Sequence, residues 1–554
     1  MSVELDVRLG AYSGAVRTRL SAWDLSGFAE RLWLKDPTLW FPEPQPEISD
    51  RLGWLDLPDR FERQLPELGA FGNEIASEGF DHVVVLGMGG SSLAPEVYGS
   101  LFGGATGRPA LLVLDSTHPD AVSSLAAGID PIKTLFIVAS KSGGTLETLS
   151  FFRYFWALLA ETTDEPGRNF VAITDAGSSL QHLASERGFR RIFVAPTDVG
   201  GRYSALSDFG LVPAAVIGAD LVAMQTAAAA MADRLGPDVP SSANEGLLLG
   251  ATLGELAAAG RDKVTFITTD EYAAFPAWIE QLIAESTGKD QRGIIPVGSE
   301  TVPADLATYG DDRFLILIQG VNRELDLLAD RLQAAGIPVV VITMSDATEI
   351  GAVMFLLEVA VAAAGAVIGI HPFNQPDVQL AKDLAKRAMA GSLDTGRIVE
   401  YESTQPDLPN LVADWLDGIE AGDYVGIHAW LEPTSGNRDQ LQKARLDVRD
   451  SLRVATTLDF GPRFLHSTGQ LHKGGLNRGR FLEIVDHPAS EVAVPETDYS
   501  FGDLITAQAL GDNLALLSRD RRVLLVCLGT NGSPGLERVT AALAEGTRAV
   551  EIRP

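Results

Sequence analysis

The sequence predicts an α/β protein. It has two doubly wound parallel-sheet (αβα sandwich) domains, a helical N-terminal region and an extra C-terminal α/β segment. Three observations carry this prediction. Short apolar runs such as Val83-Val84-Val85-Leu86 and Leu135-Phe136-Ile137-Val138 alternate with stretches of helical periodicity. That is the pattern of strands buried on both faces of a parallel sheet. Several of these runs end in turns rich in glycine and hydroxyl groups that open directly into helices. Finally, Val339-Val340-Val341-Ile342-Thr343-Met344-Ser345-Asp346 echoes Val171-Ala172-Ile173-Thr174-Asp175, the mark of two related units. The expected divisions are 1–75 (helical), 76–225 (first sheet domain), 226–420 (second) and 421–554 (C-terminal segment).

Taken in order, residues 1–75 read as helices and loops, with apolar positions at helical spacing from Val16 to Trp33 and a proline-broken stretch at Pro42 to Pro46. This looks like a wrap with little chemistry. The first domain then reads as five strands: from Val83, Leu111, Leu135, Phe170 and Ile192. The second reads as strands from Val264, Phe314 and Val339, with a helix at Trp278 to Thr287 between the first two. Ala352 to Ile370 is apolar over a span that would cross a membrane, but Glu358 sits in its middle and a strand precedes it, so a helix buried between layers is expected. Val378 to Met389 is a helix carrying Lys382 and Lys386 at i, i+4, and strand-like runs from Tyr424, Val454, Phe481 and Val523 fill the last segment.

A length of 554 residues exceeds one core and points to two to four domains. The net charge of −30 argues against nucleic acid and anionic membrane as partners, since their phosphates need a basic face. A small phosphorylated ligand stays open, because a few hydroxyls, amides and cations bind it locally. The single cysteine, Cys527, excludes an internal disulfide framework and a cysteine-based zinc site and fits a reducing cytoplasm. The first residues lack a basic stretch followed by an apolar one, so no signal peptide is expected. Asn531-Gly532-Ser533 matches a glycosylation sequon and is read as a turn.

The chain is organised around Ser140-Lys141-Ser142-Gly143-Gly144-Thr145, between a strand and a helix. Glycines let backbone approach a ligand, and the first helical turn offers free amides and partial positive charge to an anion. An ordinary capped loop would need one hydroxyl; three hydroxyls, a lysine and two glycines in six positions read as a phosphate cradle. The turn Gly87-Met88-Gly89-Gly90-Ser91-Ser92 begins like a dinucleotide fingerprint, with Asp115 ending the next strand, but Ser92 stands where the third glycine belongs. His466 and His472 are six apart, an unusual spacing for metal ligands, and neither a metal cluster nor a cofactor is expected.

Five motifs together resemble the glucose-6-phosphate isomerase family, built of two sugar-isomerase (SIS) domains. They are Gly87-Met88-Gly89-Gly90-Ser91-x-Leu93-x-Pro95, Ser140-Lys141-Ser142-x-x-Thr145-x-Glu147-Thr148, Gly200-Gly201-Arg202-Tyr203-Ser204, Glu285-Ser286-x-Gly288-Lys289 and Pro372-Phe373-Asn374-Gln375. The agreement runs from about residue 80 to about 390 and patchily beyond. The chain as a whole looks closer still to the isomerase half of bacterial transaldolase/glucose-6-phosphate isomerase fusions. No (β/α)₈ repeat for the transaldolase half remains.

The resemblance implies reversible interconversion of glucose 6-phosphate and fructose 6-phosphate through an enediol, in glycolysis and gluconeogenesis, without a cofactor. Ser140, Lys141, Ser142 and Thr145 would hold the phosphate, and Gly90 and Ser91 would line the sugar. Glu285 would move the proton between carbons 2 and 1, Gln281 would sit beside the substrate, and Arg202 would stabilise the enediol oxygens. Lys382 and His466 would assist ring opening. The chemistry needs these residue types: a carboxylate to take and return a carbon-bound proton, a permanently charged arginine for the developing oxyanion, and an acid–base pair for the ring. The resemblance also implies a homodimer; the sequence is silent on association with a separate transaldolase. Two readings stay beside this one. Another sugar phosphate could be the substrate of the same fold, or the chain could be a non-catalytic sugar-phosphate sensor, which needs the cradle but neither Glu285 nor Arg202.

Two departures stand out. The family commonly has Thr-Phe-Thr-Thr where this chain has Ser142-Gly143-Gly144-Thr145, so glycine amides would replace a hydroxyl. The family's histidine normally lies between the glutamate motif and the Pro-Phe-Asn-Gln motif, yet no histidine occurs from Ser286 to Ile370. The matching His-Ser-x-Gly-Gln string begins at His466, after both, with His371 and His428 as alternatives. Site geometry need not follow chain order.

Overall fold

The computed structural model describes residues 3–488, 491–530 and 532–550. Met1, Ser2 and Asn531 of the sequon turn lie outside them. In chain order the strands are β1 (Glu4–Arg8), β2 (His82–Gly87), β3 (Ala110–Leu114), β4 (Thr134–Ala139), β5 (Phe170–Asp175), β6 (Arg191–Ala195), β7 (Lys263–Thr268), β8 (Ile295–Val297), β9 (Arg313–Gln319), β10 (Val339–Thr343), β11 (Glu400–Glu402), β12 (Tyr424–Trp430), β13 (Ala455–Phe460), β14 (Gly479–His487) and β15 (Arg522–Thr530).

They form three five-stranded sheets. The first has the order β3-β2-β4-β5-β6 and is parallel throughout. β4 is buried along its whole length, which is why it reads as an uninterrupted apolar run. The second sheet has the order β1-β10-β9-β7-β8. Its strands run parallel except β1, which pairs antiparallel with β10, Glu4 opposite Thr343 and Arg8 opposite Val339. The N-terminal region expected to be helical therefore begins with an edge strand. Glu4-Leu5-Asp6-Val7-Arg8 alternates charged and apolar residues over too few positions to stand out from a loop. The third sheet, β11-β15-β14-β12-β13, is parallel and lies in the last part of the chain.

The apolar stretch from Ala352 forms the helix Ile350–Ile368, packed between layers against the helix Glu245–Ala258. Ala347–Ile368 has the length and hydropathy of a membrane span, but nearly all of it is buried inside the protein. Glu358, in its middle, makes no hydrogen bond through either carboxyl oxygen among the described residues, and burial pushes its pKa well above the ordinary value.

One face of the third sheet packs apolar residues such as Ile427, Leu482 and Val526 against the helices Leu408–Leu416, Ser435–Leu452 and Ser533–Arg548. On the opposite face His428 stands in register with Asp459 on one side and Glu483 on the other. That polar face meets the helices Gly469–Gly474 and Phe501–Ser518. The same two helices carry the third sheet to the rest of the molecule. Gly469–Gly474 packs on Phe275–Thr287, and Phe501–Ser518 packs along Val378–Met389.

Candidate active site

The turn after β4 is shaped by one glycine. Gly143 has φ +74°, and a Cβ there would lie 2.6 Å from the backbone nitrogen of Leu180. The chain can then fold back over the neighbouring loop, where Ser179 Oγ donates to the Gly143 carbonyl at 2.9 Å. Ser140 Oγ and Thr145 Oγ1 lie 2.9 Å apart across the mouth of the turn. Ser142 is exposed at its tip and the helix Leu146–Ala160 begins immediately behind, with first-turn amides that have no acceptor of their own within the helix. Lys141 departs from a simple cradle role. Its ammonium group donates to both carboxylate oxygens of Asp175, at 2.8 and 2.9 Å, so its charge is already paired at the wall.

The second glycine turn, after β2, packs on the third. A Cβ on Gly90 would collide with the carbonyl of Gly201. Close backbone contact of this kind joins Gly89–Ser91 to Gly201–Tyr203 and places Arg202 at the centre. Arg202 is buried, and its guanidinium spends its donors on two segments of the chain. It pairs with Glu285 Oε1 at 2.9 Å and donates to Ser286 Oγ at 2.9 Å. It also donates to Gln375 Oε1 at 3.0 Å and to the carbonyls of Pro372 and Asn374 at 2.9 Å each. Three of the sequence motifs thus meet on one side chain. Gln281, one turn before Glu285 on the helix Phe275–Thr287, donates to Glu285 Oε2 at 3.2 Å and to the carbonyl of His466 at 2.8 Å. Its own carbonyl oxygen is buried without a partner among the described residues.

His466 reaches this place from the far end of the sequence, on the short turn Arg463–His466 of the third sheet unit. Its Nε2 lies 2.9 Å from Glu147 Oε1, which also accepts from Gln508 Nε2 at 2.7 Å. Gln508 is in turn held by Thr117 Oγ1 at 2.8 Å. Burial alone would raise the pKa of Glu147. The charge and hydrogen bond of His466, with Lys382 farther off, outweigh burial and hold it below the ordinary carboxylate value.

One cleft of about 460 Å³ is lined by every side chain singled out in the sequence: Gly90, Ser91, Ser140, Lys141, Ser142, Thr145, Arg202, Gln281, Glu285, Lys382 and His466. Lys382 stands on the helix Val378–Met389 and makes no hydrogen bond or ion pair among the described residues. The alternative histidines lie elsewhere. His371 donates through Nε2 to the carbonyl of Pro46 at 2.8 Å, and His428 is sealed inside the third sheet unit.

Sequence reasoning missed several residues. Glu147 lay inside a quoted motif without a role. Gln508 carried no signal, since nothing local marks a glutamine on the helix Phe501–Ser518. Glu47 and Arg51, from the N-terminal wrap expected to hold little chemistry, also line the cleft.

The family model described as Phosphoglucose isomerase matches residues 68–310. That range holds the cradle, Arg202, Gln281 and Glu285 but ends before Lys382 and His466. A glucose-6-phosphate isomerase of Rubrobacter xylanophilus is 29% identical over 392 residues, covering 62% of this chain and 90% of the relative. One of Staphylococcus aureus is 31% identical over 385 residues, covering 60% and 86%. Among solved structures, a hypothetical protein of Thermus thermophilus superposes with TM-score 0.61 at 26% identity, over 70% of this chain and all 100% of that one. A glucose-6-phosphate isomerase of Chlamydia trachomatis superposes with TM-score 0.54 at 19% identity, over 73% and 88%, and supports the fold. With nearly a third of aligned positions identical across most of the length of such relatives, the chain belongs to the glucose-6-phosphate isomerase family.

Proposed function

We propose that this chain interconverts glucose 6-phosphate and fructose 6-phosphate in the cleft around Arg202. One observation carries the reading: the Glu285 carboxylate is held 2.9 Å from a buried guanidinium, in the same cleft as the Ser140–Thr145 hydroxyl turn. A sensor would need the turn alone.

The steps follow from the residues. Ser140, Ser142 and Thr145 with the first-turn amides of Leu146–Ala160 take the phosphate, and Lys141 fixes the loop through Asp175. His466 and Lys382 move the proton from the anomeric hydroxyl to the ring oxygen and open the ring. Glu285 then takes the proton from carbon 2, leaving an enediolate whose negative charge faces Arg202; the hydroxyl proton passes from oxygen 2 to oxygen 1, and Glu285 returns its own proton to carbon 1. The unpartnered Gln281 oxygen accepts a hydroxyl of the open chain. No electron leaves the substrate, and the proton count is unchanged.

A homodimer and a cytoplasmic location belong to the same proposal. The first rests on the family and the second on the lone Cys527. Light scattering of the purified protein tests the dimer.

The central test is conversion of fructose 6-phosphate, coupled to glucose-6-phosphate dehydrogenase, for the wild type and Glu285→Gln. Turnover that falls at least about a hundredfold in the variant supports reaction and base together. Equal turnover in both removes Glu285 from its role. Binding of fructose 6-phosphate without turnover favours the sensor, and turnover only with another sugar phosphate favours a different substrate.

A further inference from the structure

Away from the cleft, the third sheet unit buries a group of polar side chains that the isomerase chemistry does not use. His428 on β12 and Asp459 on β13 are neighbours in register, and His472 on the helix Gly469–Gly474 closes over them. One ligand atom from each lies within 4.8 Å of the others. His472 Nε2 is 3.7 Å from Asp459 Oδ2. His428 is wholly buried, yet among the described residues neither ring nitrogen makes a hydrogen bond; His472 Nε2 and Asp459 Oδ2 also lack one. Buried polar atoms without partners are rare in native proteins because each keeps its full desolvation cost. Three such atoms, one from each residue, gathered within 4.8 Å of one another require something to converge on.

We infer that His428, Asp459 and His472 bind a divalent transition-metal ion of the zinc class. Two imidazoles and one carboxylate are a borderline donor set that suits Zn²⁺ and its neighbours better than the oxygen-seeking Mg²⁺ or Ca²⁺. A tetrahedral ion with bonds of about 2.0–2.1 Å holds its ligand atoms about 3.3 Å apart, so the spacing here needs only small side-chain rotations. The surroundings are those of a metal site. Tyr424 Oη lies 3.3 Å from His472 Nδ1 and fixes that ring with its Nε2 inward. Thr468 Oγ1 donates to Asp459 Oδ1 at 3.3 Å, leaving Oδ2 for the ion.

Glu483 and Asp512 lie at similar spacing on the other side of His428, and Glu483 Oε1 and both Asp512 oxygens make no hydrogen bond among the described residues, but this group is partly neutralised from within. Asp512 pairs with the buried Lys473, and Glu483 Oε2 accepts from Asn513 at 2.6 Å. They act as an outer shell, with Asp512 Oδ2 3.9 Å from His428 Nδ1. The ion would be structural. It joins β12 and β13 to the helix that follows the His466 turn, and so braces that turn from behind.

The test uses the full chain, freed of metal by dialysis against a chelator and titrated with Zn²⁺ and separately with Co²⁺. One ion per chain, a Co²⁺ spectrum of tetrahedral intensity and a rise in Tm are expected, all lost in Asp459→Asn and His472→Gln. Wild-type protein that takes up neither ion beyond weak surface binding, with Tm unchanged, overturns the inference without recourse to any variant. So does a natively folded Asp459→Asn that binds Co²⁺ with the wild-type spectrum.

Discussion

Replacing Glu147 by Gln changes one charge and almost no volume, which makes it a clean probe of how His466 is held. Glu147 is buried at the inner end of the cleft, in a cavity it shares with Ser142, Thr145, Lys382 and His466; its Oε1 meets His466 Nε2 at 2.9 Å and Gln508 Nε2 at 2.7 Å. It is a positioning residue for the histidine. The amide keeps an oxygen for one donor but loses the negative charge and turns its other end into a donor. The loss of a charge-assisted hydrogen bond at a buried site is about 1.5–3 kcal/mol. At 1.36 kcal/mol per tenfold, that predicts a fall in kcat of about 10- to 160-fold, with KM changed by no more than about twofold. The assay is the coupled isomerase reaction on Glu147→Gln, His466→Asn and the double variant. If Glu147 works only through His466, the double variant is no slower than His466→Asn alone. Losses that multiply in the double variant, or a Glu147→Gln enzyme with wild-type kcat, would refute the reasoning.

The other perturbations are simpler. Arg202→Lys keeps a charge but cannot serve Glu285, Ser286, Gln375 and two carbonyls at once, so kcat should fall at least about a hundredfold and Tm should drop. Gly90→Ala drives a methyl into the Gly201 carbonyl. A strain of about 1–3 kcal/mol is expected, and steady-state kinetics should show activity lost more steeply than stability, because the two turns that separate carry Ser91 and Arg202. His371 offers a pH test. Its Nδ1 accepts the amides of Phe373 and Asn374 at 3.2 and 3.3 Å, and burial, followed by the nearby Lys289 and Arg202 charges, lowers its pKa from 6.5 to about 4. The unfolded chain therefore binds the extra proton first. Stability is full above pH 6.5 and is lost as pH falls towards about 4, by at most about 3 kcal/mol. Thermal melts of His371→Asn should show a flatter dependence across that window than the wild type.

What the sequence made legible follows from what each element had to do. β2, β4, β7, β9 and β10 lie inside sheets covered on both faces, so their central runs are mainly apolar and announce themselves. β1, β8 and β11 sit at sheet edges, are three to five residues long, and in β1 and β11 carry charge; nothing in their local pattern distinguishes them from loops. The glycine turns were readable because close backbone approach leaves no other residue type available at Gly90 or Gly143. The partners of those turns were not. That Lys141 would be spent on Asp175, or that Glu47 and Arg51 would reach the cleft, depends on side-chain directions that no spacing encodes.

The histidine is the instructive case. Its position in the chain, after the glutamate and Pro-Phe-Asn-Gln motifs, left His371, His428 and His466 as rivals. Packing separates them. The helix Gly469–Gly474 lies on the Glu285 helix, and the Arg463–His466 turn touches Gly89–Ser91, so a residue contributed by the third sheet unit enters a cleft otherwise built by the first two. The Gln281 amide, which holds the His466 carbonyl, and the Glu147 carboxylate, which meets its ring, fix that histidine from both sides. Neither contact depends on where the histidine falls in the sequence. A unit that can be docked onto Phe275–Thr287 in this register supplies the group wherever its own chain segment begins. The order of motifs along a polypeptide is thus a weaker constraint on this chemistry than the surface that delivers them. Truncation before residue 400 tests the point: it should leave the cradle, Arg202 and Glu285 in sequence but remove His466 and the helix that buttresses Lys382, and the loss of turnover should exceed that of His466→Asn alone.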